Sequence, residues 1–397
     1  MDRKNPKALK RLYKSAHIRV FFVISFLLFG SFFLFPKFFS GGVSYPSKNL
    51  KADSSGAEKD IKEKKEKQKV EYPPLDKAAY DKKLEEIANN PIQKPAVPKK
   101  DPEGKPAASD GAGANDKVST LTKPTLWPVK AAYPNPGAIL PFKRIVAYYG
   151  NLYSTKMGVL GEYPEGEMLS RLKAEVKKWE EADPNTPVVP ALHYIAVVAQ
   201  GSAGKDGKYR ARMPSAEIDK VLKMAEKSNA IVFLDIQVGF STIQAELPLL
   251  EEYLKLPNVH LGMDPEFSMK GSIRPGKVVG TYDAADINYA ANFLADIVRE
   301  NDLPPKVLVV HRYTQKMLTN YQNIKPLPEV QIVIHMDGWG VKAKKINTYQ
   351  QFVYKEPVQF AGFKLFYKND VWEKGTVLFT PPELLKLSPQ PLYIQYQ

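Results

Sequence analysis

The sequence predicts an α/β fold, a (β/α)8 barrel preceded by an N-terminal apolar span and a charged linker. Three observations predict it. Apolar β-type runs alternate with amphipathic helical stretches from about residue 126 onward, eight such runs fit that length, and polar residues gather at the C-terminal ends of the runs. Near-continuous apolar strands separated by helices indicate a parallel sheet covered on both faces. An open doubly wound sheet is the alternative.

Residues 1–19 form a basic flank containing Arg3, Lys4, Lys7, Lys10, Arg11, Lys14 and Arg19. The Phe-rich run Val20–Phe35, with its flanking aromatics through residue 40, is just long enough to cross a bilayer. The positive flank predicts a cytoplasmic N-terminus, a single-pass signal anchor at 20–40 and an extracytoplasmic remainder. A cleaved signal peptide is the competing reading, with Ser40-Gly41-Gly42 as its site. Residues 41–125 are rich in Lys, Glu, Asp, Pro, Ala and Gly and predict a disordered linker. Within it, Asp76–Asn89 predicts an exposed helix.

The barrel domain, 126–397, has β-type runs at Arg144–Tyr149, Val188–Tyr194, Ala230–Gln237, Val259–Glu266, Lys306–Tyr313, Val330–Asp337, Gly362–Tyr367 and Leu392–Gln397. Helical stretches are predicted at Gly166–Ala182, Ser215–Ser228, Gln244–Leu256, Ala284–Asn301 and Gln315–Gln322. Met168, Leu172, Val176 and Trp179 recur at helical spacing and read as a packing face.

The chain has 397 residues and no cysteine, which excludes disulfides, zinc–thiolate sites, iron–sulfur clusters and a cysteine nucleophile. Its net charge of +14 is concentrated ahead of the barrel domain, so nucleic acid is not an expected partner. There is no Gly-x-Ser-x-Gly elbow, no His-Glu-x-x-His and no dinucleotide fingerprint. Gly201–Asp206 lacks the spacing of a phosphate loop.

In a parallel barrel, chemistry sits where the strands end. Reading each run to its end gives Tyr148 and Tyr149, His193 and Tyr194, Asp235 and Gln237, Asp264 and Glu266, His311, Arg312 and Tyr313, His335, Asp337 and Trp339, Lys364 and Tyr367, and Tyr393, Gln395 and Tyr396. Asp264 and Glu266 are two residues apart and should share a face. Two carboxylates held that close keep one proton to higher pH, which is how a site obtains a general acid. The plain structural alternative has Asp264 ordering its loop and Glu266 paired with Arg274 or Lys270. Asp337 has the same spacing from His335. The predicted catalytic set is Glu266 as general acid, with Asp264, Asp235 and Asp337. The predicted substrate-binding set is Tyr148, Tyr149, His193, Gln237, His311, Tyr313, His335, Trp339, Lys364 and Gln395.

The segments His260–Phe267, Lys306–His311 and Val333–Gly338 resemble a family of uncharacterised, exported, membrane-anchored bacterial proteins with a glycoside-hydrolase-like barrel. The resemblance covers most of 144–397. Retaining barrel glycosidases of the common type carry one Glu after strand four and a second after strand seven. Glu266 matches the first, but the seventh run ends at Lys364 and Tyr367, with Asp370 beyond and no Glu.

Three functions are open at this point. The first is hydrolysis of cell-wall or surface glycans, without a cofactor. The second is a metal-dependent hydrolase, with zinc or manganese held by ligands drawn from His193, Asp235, Asp264, Glu266, His311, His335 and Asp337, of which His193, His311, His335 and Asp337 are the leading set. The third is a non-catalytic glycan-binding module.

Overall fold

The computed structural model describes residues 71–89 and 125–397. The basic flank, the apolar span and most of the charged linker lie outside the described residues. Among the described residues no helix is long and apolar enough to cross a membrane.

Eight parallel strands form the sheet: β1 (Arg144–Gly150), β2 (Val188–Ala199), β3 (Ile231–Ile236), β4 (Val259–Met263), β5 (Lys306–Arg312), β6 (Val330–Met336), β7 (Phe360–Leu365) and β8 (Tyr393–Tyr396). β1 pairs with both β2 and β8, so the sheet closes on itself. The fold is a (β/α)8 barrel. A short antiparallel strand, Arg210–Arg212, adds to the end of β2.

Side chains alternate along each strand. In β5, Val307 and Val309 face the barrel interior, and Leu308 and Val310 pack in the surrounding layer. The interior core comprises Ile145, Ala147, Ala191, Phe233, Val307, Val309, Val333, Phe360 and Tyr393. The outer core joins the other strand faces to the helices. Helix α2 (Glu165–Ala182) buries Met168, Leu172 and Trp179, and α3 (Ser215–Glu226) buries Ile218, Val221, Met224 and Ala225. Helix α4 (Ala284–Glu300) starts with a capping box between Asp283 and Asp286.

Three stretches differ from expectation. The predicted helix Gln244–Leu256 is broken into short turns, with Pro248 inside a 3-10 segment at Leu247–Leu250. Gln315–Gln322 is two 3-10 turns around a two-residue strand, Leu318–Thr319. There the buried Arg312 guanidinium donates to the carbonyls of Gln315 and Leu318, so these groups need no helical ladder. A helix at Lys342–Tyr349, α5, was not expected; its sequence, KAKKINTY, has little apolar periodicity.

The helix predicted near Asp76–Asn89 forms over Lys77–Ala88 (α1) and is not exposed on all sides. Asp76 caps it by accepting from the Ala79 amide at 2.9 Å. Tyr80 packs edge-on against Tyr133 and Phe142. Ile87 joins the interior core, and its carbonyl accepts from the Gln390 amide at 2.7 Å. Asn89 donates to the Leu387 carbonyl at 3.0 Å. A stretch of the linker therefore closes the N-terminal end of the barrel. Replacing Ile87 with Ala is expected to cost about 2–5 kcal/mol, read as a lower urea midpoint; an unchanged midpoint would mean that α1 does not dock.

Candidate active site

Above the apolar interior layers, the inward positions turn polar. Tyr149, His193, Asp235, His311, His335, Lys364 and Gln395 point inward from the strands, and Gln237, Asp264, Glu266, Tyr313 and Asp337 follow strand ends. Tyr148 does not join them. It is one residue out of phase with Tyr149 and packs in the outer layer against Tyr367 and Tyr396. Its assignment to substrate is corrected by strand parity, and the same parity turns Tyr194 and Tyr396 outward. Trp339 lies half-buried on the loop after β6, its ring 4.8 Å from the Lys344 ammonium.

β4 ends one residue before Asp264, and the chain tightens into a 3-10 turn at Pro265–Phe267. Asp264 Oδ1 accepts from the Glu266 amide at 3.0 Å, and Oδ2 accepts from Gln237 Nε2 at 3.2 Å. Asp264 thus orders its loop and also faces the cluster. Glu266 is partly exposed and hydrogen-bonds Tyr313. The expected alternative partners are engaged elsewhere: Arg274 donates to the Gly201 carbonyl and Lys270 pairs with Asp286.

Gln237 is fully used inside the protein. It accepts from the Ala199 amide and donates to Tyr149 Oη and Asp264. It therefore holds Tyr149 and Asp264 in place. Tyr149 donates to Asp235 Oδ2 at 3.1 Å. Asp337 bridges two groups: Oδ2 lies 2.7 Å from His311 Nδ1, and Oδ1 lies 2.9 Å from Lys364 Nζ. The Lys364 ammonium also sits 4.0 Å from the centre of the Tyr149 ring.

These contacts divide the carboxyls. Burial raises Asp264 to about 7, with Asp235 and Asp337 adding to the rise. Burial also raises Glu266 to about 8, helped by Asp264 and then Asp337. For Asp337 burial acts in the same direction, but Lys364 and His311 outweigh it and hold the group well below the usual carboxylate range. Burial is likewise opposed at Asp235 by His193 and His311, which keep it ionised. At His311 burial is overcome by Asp337 and Asp235, and its pKa is raised. Asp235 and Asp337 are thus held toward the ionised form, and Asp337 lies between His311 and Lys364. Glu266 and Asp264 are pushed the other way, with Glu266 keeping its proton to the higher pH.

His193 is driven down to about 4 by burial, so it is neutral. Its Nδ1 lies 2.5 Å from Tyr393 Oη, which also accepts from Gln395 Nε2 at 2.9 Å. Tyr393 was not among the expected site residues. The signal was available, because it precedes Gln395 by two and so faces the same side. His335 packs edge-on against His311 and Tyr393, and neither ring nitrogen has a hydrogen-bond partner.

Gly262 is a second residue that the motifs did not reveal. A Cβ there would lie 2.4 Å from His193 Nε2 and 2.6 Å from Asp235 Oδ1. Both side chains are fully buried and cannot step aside. Gly262→Ala is expected to cost about 1–3 kcal/mol as an overpacked site; an unchanged unfolding midpoint would show that the cluster has slack.

No family model matches the chain and no curated protein is similar to it, so the resemblance to an exported family gains no support. Among solved structures, the chain is similar to the crystal structure of a ruminal GH26 endo-beta-1,4-mannanase. The two are 11% identical with a TM-score of 0.30, over 64% of this chain and 58% of that one. The chain thus spans less than two thirds of that protein's length. The barrel assignment stands on the strand pairing described above.

Proposed function

We propose that the barrel mouth hydrolyses a glycosidic bond in a cell-wall or surface polysaccharide, with Glu266 protonating the leaving oxygen. One arrangement supports this reading: Glu266, two residues from Asp264 and hydrogen-bonded to Tyr313, is pushed up by burial and by these carboxyls, while the neighbouring Asp337 is paired with His311 and Lys364 and held low. Environments that push neighbouring titratable groups apart are how a site obtains acid and anion together.

In this reading Asp264 raises the pKa of Glu266, and Asp235 supplies negative charge for an oxocarbenium-like transition state. Asp337 was expected to be the base. Both its oxygens are engaged by His311 and Lys364, so its role becomes holding those two charges in place. The seventh strand offers Lys364 where a retaining enzyme would carry its second carboxylate, so the two-Glu mechanism is not adopted. Tyr313 and Trp339, both partly exposed, supply aromatic surface suited to the apolar faces of sugar rings, whereas Tyr149 is buried under Lys364 and within the cluster. The extracytoplasmic, membrane-anchored location rests on the pattern of residues 1–40 and belongs to the same proposal.

The test is release of reducing ends from wall polysaccharides by the full chain, compared with Glu266→Gln. Product from the native chain and its loss in the variant support the reading. Binding without product would instead favour the non-catalytic glycan-binding module.

A further inference from the structure

Several buried atoms in the cluster have no hydrogen-bond partner, His335 Nδ1 and Nε2 and Gln395 Oε1 among them, and three of these atoms lie close to one another: His193 Nε2, Asp235 Oδ1 and His311 Nε2. The two nitrogens lie 3.5 and 3.8 Å from the carboxylate oxygen. One donor atom from each residue lies within 4.8 Å of the other two. The N···O separations are longer than good hydrogen bonds. They approach the ligand–ligand edge of a tetrahedral ion with bonds of about 2.0–2.1 Å, an edge of roughly 3.3 Å.

The opposite side of each residue is held. His193 Nδ1 contacts Tyr393 Oη, His311 Nδ1 contacts Asp337 Oδ2, and Asp235 Oδ2 accepts from Tyr149 Oη. A carboxylate behind a ligating histidine, and a fixed partner behind each other ligand, is the outer shell that metal sites use to orient their donors. Leaving three buried polar atoms unsatisfied toward one point would otherwise be a net cost.

We propose that His193, Asp235 and His311 bind one divalent transition-metal ion, with zinc the best match to two imidazoles and one carboxylate. The set narrows the wider one the sequence offered. Asp337 stands behind His311, and His335 belongs to no ligand group. A second grouping, Asp264 with His311 and Asp337, is weaker because Asp337 is already spent on His311 and Lys364. Three protein donors leave one tetrahedral position open, as in catalytic and not structural zinc sites. With the ion bound, Asp235 is a ligand and no longer the free anion of the glycosidase reading, whereas the role of Glu266 is unaffected.

The experiment is metal content and zinc or manganese titration calorimetry on the full chain, stripped with chelator and dialysed. The expected result is about one equivalent bound, with a raised melting temperature. Binding should be lost in His193→Ala and in the isosteric Asp235→Asn, and weakened about 10–100-fold in Tyr393→Phe. Glu266→Gln should bind normally, which separates this site from the proton donor. Absence of binding by the folded native chain with both metals would overturn the proposal, as would unchanged affinity in folded His193→Ala.

Discussion

Asp337→Asn is expected to destabilise the protein by about 3–5 kcal/mol, more than any other single isosteric change in the barrel mouth. The substitution keeps the shape and removes the one anion that touches both His311 Nδ1 and Lys364 Nζ. Asp337 and Lys364 are almost wholly buried and His311 is completely so. Breaking a buried pair leaves a charge that neither water nor protein compensates, and that cost exceeds what the intact pair contributes. Lys364→Met in the same chain should therefore recover part of the loss, so that the double variant is less destabilised than the sum of the singles. Urea unfolding measures both. A loss under 1 kcal/mol for Asp337→Asn would mean that water reaches the cluster and screens it.

Glu266→Gln should leave the fold intact and lower turnover about 10²- to 10⁴-fold, the usual contribution of a positioned general acid. Its pH signature follows from the direction of the shift. Glu266 must be protonated to act, so turnover falls as pH rises through about 8. Stability has the same sign. Glu266 and Asp264 hold protons more tightly folded than unfolded, so they favour the folded state in acid. That contribution declines as pH rises from the ordinary carboxylate range through about 7 and 8. Glu266→Gln should flatten part of this decline. A variant with an unchanged alkaline limb of both turnover and stability would show that another group titrates there.

Much of the architecture was legible because a buried parallel strand has a plain signature. Val330–Met336 is apolar except at Gln331 and His335, and those two face inward with Val333 between them. The starts of all eight strands fall within two residues of the sequence reading. Failures arose where a partner outside the segment overruled its local pattern. Gln315–Gln322 is held by Arg312, and α1 is held by the barrel floor; neither partner is visible in its own segment. His193 lies inside β2, which runs on to Ala199, well past the end read from the sequence, and the tight turn after β4 sets where Asp264 and Glu266 end up.

For the site, strand ends located the polar residues but not their direction. Tyr148 and Tyr149 look equivalent in sequence, yet parity puts one against Tyr367 and the other against Asp235. Tyr393 stands at its strand end in the sequence reading but lies outside the expected site sets, and Gly262 is not singled out at all. Tyr393 follows the same parity rule as Gln395. Gly262 acts by the room it leaves, and a glycine's neighbours cannot be read from its own position.

The most direct test of the central claim is to incubate purified full-length chain and its Glu266→Gln variant with isolated wall polysaccharide, measuring both product release and binding. The account predicts soluble saccharide from the native chain, lost above about pH 8, with the variant binding the polymer and releasing almost none. Equal product from both chains, or none from the native chain on any polysaccharide, would contradict it.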